Sequence, residues 1–475
     1  MKTKFIFSLI CLFFSANLII KGQSPKRDIY TALEFSLGIP VQFARSAPLS
    51  LGDGKKGFVM LFSEERNLDP YEGSFFFPKN RPKLAVFDLE GRELWRRELA
   101  GALPGIWFIP VLPFDMDKDG VDEIYYVNNI NTDRPFAYEG YMLERADVLS
   151  GEVTGRWPWK APTHNQANSY KWRFFLIGGY VNDEPVLVTT QGTYRDMKLQ
   201  AWNADMSSRW EIYYPDDFNG PRGSHTTPII DIDHDGKEEF MYGERCISFD
   251  TGKELFVLDG NTWNDHSDVV LPIYQKKKRE WSFFTCREKG DDGRLPRAVM
   301  FNQRGEQVWA IKEMKGHFHY GWVGNLGSNG ERIAMAGRYN RVSGGDPERW
   351  VYDADSGIEI TVPFPLGDKS DRSSLLDMDG DGIHELLIGQ TLYNNAGDIL
   401  FDFGESMSVL SQYKILDLPG EQLMCYYPNG IVKIWADRNG SETTEMKKRF
   451  SDPIYVNNVR HSSTGYNRNY PILNY

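Results

Sequence analysis

A short unit recurs along this chain: an apolar strand, a turn in which Asp or Asn is followed within a few residues by Gly, and a second strand often carrying Trp or Leu. The clearest copies run from Val86 through Gly91 to Leu94-Trp95, from Phe249 through Gly252 to Leu255-Phe256, from Phe301 through Gly305 to Val308-Trp309, and from Tyr393 through Gly397 to Leu400-Phe401. Weaker copies lie at Asp147 to Gly151 with Trp157, Asn203 with Trp210, Asp353 to Gly357, and Asp437 to Gly440. Such turns close hairpins because Gly, and to a lesser degree Asn and Asp, accept the positive φ that a tight turn demands. About eight hairpins at roughly 40 to 60 residue intervals match the repeat of a four-stranded propeller blade. Two β-sandwiches would not repeat one hairpin along the whole chain, whereas radial repetition does. The sequence therefore reads as all-β, a single β-propeller. The spacing favours seven blades and allows eight, since one hairpin can belong to a terminal extension or to a blade completed by both chain ends. No segment shows a sustained, capped helical period, and aromatics at 14% suit sheets packed face to face.

Basic residues at Met1 to Lys4 precede an apolar run from Phe5 to Ile20, too short for an ordinary membrane span. Residues 1–22 are expected to be a signal peptide and 23–475 the propeller, a secreted or periplasmic catalytic domain with no membrane span. Beyond that run only Cys246, Cys286 and Cys425 remain, an odd number that forms no disulfide framework. A net charge of −12 argues against nucleic acid as a partner, because phosphate binders concentrate Lys and Arg on one face. A monomer is expected.

Three loops share one pattern: Asp115-Met116-Asp117-Lys118-Asp119-Gly120, Asp231-Ile232-Asp233-His234-Asp235-Gly236 and Asp377-Met378-Asp379-Gly380-Asp381-Gly382, followed by Glu123, Glu239 and Glu385. Alternate carboxylates on a tight turn point inward together, and hard oxygens at that density suit calcium in a structural role. The flanks Ile229-Ile230 and Glu239 to Tyr242 read as strands rather than the helices of an EF-hand. The competing reading is that these are blade turns whose Asp side chains cap backbone amides.

Chemistry-bearing residues gather in polar loops: His164 in Thr163-His164-Asn165-Gln166-Ala167-Asn168, Tyr194 in Gly192-Thr193-Tyr194, and Arg222 in Arg222-Gly223-Ser224-His225. A His, a Tyr and an Arg brought together would suit β-elimination at a uronic acid: a base withdraws the proton beside the carboxylate, cationic groups neutralise that carboxylate, and an acid protonates the leaving oxygen.

Together with Tyr242 to Cys246, His266-Ser267-Asp268 and Gly316 to Trp322, these stretches resemble the β-propeller polysaccharide lyases that cleave ulvan and, more distantly, the calcium-dependent rhamnogalacturonan lyases. The resemblance implies a secreted lyase that cuts beside a uronic acid and leaves a 4,5-unsaturated sugar. Carried over by motif, His164, Tyr194 and Arg222 are the catalytic candidates, with Asn165, Asn168, Arg173, Arg245 and His266 binding an acidic polysaccharide. One departure is that ulvan lyases of this kind pair two histidines about 20 residues apart, and Glu144 and Glu184 stand at those distances from His164. The resemblance also implies a structural transition metal such as zinc, with His225, Cys286, His317 and His319 as candidates by type. Against the lyase stand a non-catalytic calcium-loop propeller that binds glycans or proteins, and a quinone-dependent dehydrogenase, for which the chain lacks adjacent cysteines.

Overall fold

The computed structural model describes residues 27–65, 80–99, 109–130, 140–159, 173–288, 295–338, 348–367, 373–404 and 406–464. Within them 31 strands form eight antiparallel sheets, seven of four strands and one of three. The fold is the expected β-propeller with eight blades, correcting the seven that the hairpin spacing favoured. The reason is closure: β1 (Ile29–Ser36) pairs with β31 (Ile431–Asp437) at the far end of the chain, so both ends build one blade and neither is an appendage.

Burial falls from the axis outward, and the sequence follows it. The inner strand β6 (Val111–Phe114) is wholly buried, whereas the outer strand β5 (Glu93–Glu98) has no buried residue. The recurring Asp/Asn-Gly turns join the two outer strands of a blade. Their glycines also receive the preceding blade: Trp95, Trp210 and Trp309 lie against Gly151, Gly252 and Gly357, all three at positive φ. Each indole N–H donates to a carbonyl of the same turn, namely Val148, Phe249 and Ala354. A Cβ on Gly252 would stand 2.7 Å from the Trp210 ring, so a side chain there is excluded twice, by backbone and by space. The eighth expected hairpin is misplaced. Asp437 to Gly440 follows β31 and leads out of the sheet, while the tight turn of that blade runs from Tyr427 to Gly430.

A second device ties blades together beside the Asp loops. Asp122, Glu238, His384 and Glu421 each donate a backbone N–H to the preceding blade (Ser50, Tyr180, Asn325 and Asp377). Each side chain in turn accepts the backbone N–H of that same residue, at 2.6, 2.8, 3.1 and 2.9 Å.

Two short helices, α1 (Thr444–Phe450) and α2 (Pro453–Arg460), were not read from the sequence because seven and eight residues are too few to show a period. Their caps are nevertheless regular: the Thr443 side chain accepts from Met446 N–H, and that of Asp452 from Ile454 N–H with Pro453 following. The segment then closes the channel at the Asp-loop face by satisfying the open edges of the inner strands. Asn458 accepts from Ile229 N–H and donates to Ile229 O, both at 2.9 Å. His461 Nε2 accepts from Gly178 N–H at 2.9 Å, and Ser463 Oγ donates to Val111 O at 2.5 Å.

Candidate active site

The channel mouth at the opposite end of the strands carries a cluster of histidines. His225, His266 and His317 each precede the innermost strand of a blade: β14 (Ile229–Ile230), β18 (Ser267–Gln275) and β22 (Phe318–Asn325). They occupy comparable positions in three consecutive blades, and convergence of the inner strands on the axis brings them together. Rings of His225 and His266 lie 5.2 Å apart, and those of His266 and His317 6.5 Å. A parallel bridge between Ser224 and Ser267 joins the two loops directly.

Asp268 and His319 enter the cluster through irregularities of the ladder. Each is the extra residue where the register slips, between Ser267 and Val269 and between Phe318 and Tyr320. A bulge re-aims the side chain that a regular pleat would direct along the sheet face. Asp268 Oδ1 lies 2.7 Å from His266 Nε2 and 3.4 Å from His225 Nε2, and Glu288 Oε1 lies 2.6 Å from His317 Nε2. Beneath them, the fully buried Arg287 and Glu244 form a two-pronged pair at 2.8 and 2.7 Å, and Ser267 Oγ donates to the same carboxylate at 2.7 Å, fixing the His266 segment.

Tyr194 stands at the edge of this cluster, its hydroxyl 3.0 Å from His225 Nε2 and its ring 4.1 Å from that of His266. Arg173, buried, holds its guanidinium 5.0 Å from the Tyr194 ring. Burial, aided by the neighbouring His225, His317 and Arg173, holds His266 well below the ordinary histidine pKa. Burial also works to lower His317, but hydrogen bonds to Asp268 and Glu288 outweigh it and push His317 up to about 9.

Apart from the Asp-loop carboxylates on the opposite face, the expected site residues divide into three groups. Tyr194, Arg173, His225, His266, His317 and His319 are brought together. His164, Asn165 and Asn168 lie outside the described residues. Arg222, Arg245 and Cys286 are turned to other partners. The Arg222 guanidinium donates to the carbonyls of Asp216 and Phe218 in its own loop, at 3.1 and 2.7 Å. Arg245 donates to Pro221 O at 3.1 and 3.0 Å and stacks over Phe218, so it shapes the loop rather than the mouth. Cys286 lies in the hydrophobic core, its thiol donating to Tyr320 O at 3.6 Å against the backbone of Gly321. Asp268 and Glu288 were not among the expected site residues. No local signal marked Asp268, because the bulge that turns it toward His266 depends on the register of the partner strand. The separation of the three histidines by 41 and 51 residues, one blade each, was a usable signal.

Ligand atoms of His225, His266 and Asp268 lie within 4.8 Å of one another, as do those of Asp268, His317 and His319. Imidazole nitrogens with a carboxylate fit a divalent transition ion, and the thiol expected among them is replaced by Asp268 and His266. On the opposite face, the carboxylates of Asp115, Asp117 and Asp119, and those of Asp231, Asp233 and Asp235, likewise lie within 4.8 Å of one another. Asp115 Oδ1 is buried without a hydrogen-bond partner, which fits a bound cation. Burial and the adjacent loop carboxylates push Glu123 up to about 7 and Glu239 up to about 8 despite a backbone N–H donated to each, a repulsion that a cation would relieve.

The segment that carries this whole cluster has relatives. Residues 167–329 match the C-terminal domain of rhamnogalacturonan lyase family 11. Over 294 residues the chain is 25% identical to rhamnogalacturonan endolyase YesW of Bacillus subtilis, an alignment covering 52% of this chain and 43% of that protein. Over 262 residues it is 26% identical to rhamnogalacturonan exolyase YesX of the same organism, covering 46% and 40%. The aligned stretch thus spans less than half the length of these curated relatives. Among solved structures, the Bacillus licheniformis rhamnogalacturonan lyase PL11 superposes with a TM-score of 0.74 at 18% identity, covering 91% of this chain and 77% of that one. These matches bear out the more distant of the two expected resemblances. No helix among the described residues is long and apolar enough to cross a membrane.

Proposed function

We propose that the chain is a polysaccharide lyase that cleaves a pectin-type, uronic-acid-containing polysaccharide by β-elimination. The observation that carries this reading is the placement of Tyr194 against His225 and His266 at the strand ends opposite the Asp loops, within the segment matched to the rhamnogalacturonan lyase domain. In the reaction, the C5–H bond beside the carboxylate breaks and its electron pair forms the C4–C5 double bond as the C4–O bond to the leaving sugar breaks. Tyr194 transfers the proton at the mouth, where the 3.0 Å contact of its hydroxyl with His225 Nε2 positions it. Arg173, 5.0 Å from the phenol ring, holds that ring in place at the cluster. His317, partly exposed and held by Glu288 at 2.6 Å, would contact the substrate at the same mouth. His225, His266 and Asp268 would hold a transition ion, which when bound supplies the same charge neutralisation. Calcium in the first two Asp loops would be structural, because those loops lie on the face opposite the mouth. Export through residues 1–22 belongs to the same reading, as does ulvan as a second substrate.

The test is absorbance near 235 nm, where the unsaturated product absorbs, with rhamnogalacturonan, ulvan and other uronic-acid polymers. A rise on one polymer that Tyr194→Phe abolishes is expected. No rise on any polymer, or a rise that Tyr194→Phe leaves intact, overturns the reading.

A further inference from the structure

The three Asp loops share their sequence pattern and also their internal hydrogen bonds. The first Asp of each accepts a backbone N–H from the Gly five residues on (Gly120, Gly236 and Gly382), at 2.9, 3.2 and 3.1 Å. The closing Glu of each accepts from Met116, Ile232 and Met378 at 3.0, 2.9 and 2.8 Å. They differ in what faces the carboxylates. Among the described residues no Lys or Arg makes ion-pair contact with the repeated carboxylates of the first two loops; Arg460 acts on Asp115, and Arg145 on Glu123, only at longer range. In the third, the Arg27 guanidinium lies between Asp379 and Glu385, in direct ion-pair contact with both, and reaches Asp437 Oδ2 at 3.3 Å. The loop is built for this: Asp377, Asp379 and Glu385 are all buried, so unpaired negative charge there would be costly, and a delocalised five-donor cation answers several oxygens at once. Asp437 also accepts the backbone N–H of Asp28 at 3.1 Å, and Arg438 N–H donates to Asp28 O at 3.0 Å, so the residues next to Arg27 are held in register with the end of β31.

We propose that the third Asp loop is filled by the Arg27 guanidinium in place of a metal ion. The chain then takes calcium in its first two loops only, and uses the third to fasten strand β1 across the seam where the ring closes. Loss of that fastening would free the one blade built from both chain ends, which gives Arg27 a role that a free ion could not perform. The inference does not depend on the lyase reading.

Calcium bound per chain, measured by equilibrium dialysis with atomic emission on the full chain, tests it. The expected counts are two for the wild type, two for Asp379→Asn, and three for Arg27→Gln, whose third loop is opened to the ion. A count that falls on Asp379→Asn, or one that does not rise on Arg27→Gln, overturns the proposal. If Arg27→Gln does not fold, as judged by circular dichroism, the comparison of wild type with Asp379→Asn decides alone. A count of zero in the wild type that rises to one in Arg27→Gln would defeat calcium in the first two loops while supporting the assignment of the third.

Discussion

Replacing Gly252 with Ala isolates the contact by which one blade receives the next. Gly252 has φ +69° and would place a Cβ 2.7 Å from the Trp210 ring; Gly54 has φ +73° with nothing within 4 Å of its Cβ position. The two glycines therefore share the backbone penalty and differ in the steric one. Left-handed backbone costs a non-glycine residue about 1–2 kcal/mol. Forcing a methyl into a packed contact adds about 1–3 kcal/mol. Gly54→Ala should thus destabilise by about 1–2 kcal/mol and Gly252→Ala by about 2–5 kcal/mol. Urea denaturation followed by circular dichroism compares the two midpoints. The difference should shrink when Trp210 is replaced by Leu, because the smaller side chain leaves room for the methyl while the backbone strain remains. If Gly252→Ala costs no more than Gly54→Ala, the indole does not press on the turn, and the account of blade docking through Trp95, Trp210 and Trp309 fails.

Other expectations follow from the channel plug and the mouth. Asn458→Ala leaves the buried N–H and C=O of Ile229 without partners and should cost about 2–4 kcal/mol in the same denaturation assay. His461 is buried as a neutral ring, Nε2 accepting from Gly178 and Nδ1 donating to Asn457 O, and burial lowers its pKa from 6.5 to about 4. The unfolded chain therefore takes up a proton that the folded one refuses, so this stability is complete above about pH 6.5 and drains away as pH falls toward 4, by about 3 kcal/mol in all. His461→Gln should flatten that window in denaturation series run at several pH values. Stripping the protein with a chelator and reloading it with zinc should return one tightly held ion, absent in the His225→Ala, His266→Ala double variant; equal zinc content in both would refute the histidine site. Tyr194→Phe should reduce turnover by about 10²-fold or more while leaving the thermal midpoint unchanged.

Short-range chemistry was legible in the chain itself. Positive-φ glycines after Asp or Asn marked the outer hairpins, since a turn's backbone demand acts over four residues and leaves its sign in the sequence. The Asp loops were equally plain, because carboxylates two residues apart must share one turn. Tertiary structure decided what depends on the ring. The eighth blade exists because β1 finds β31 some 400 residues away, a pairing for which neither strand carries a local mark. Asp268 and His319 join the mouth through bulges, whose register slips are set by the partner strands. Arg27, an unremarkable basic residue in the sequence, distinguishes three otherwise equivalent loops because the closed ring lays the N-terminal segment across only one of them. The histidines at positions 225, 266 and 317 become a site for the same reason: successive inner strands converge on one axis, and only that convergence turns a blade-length separation in sequence into a contact of a few ångströms.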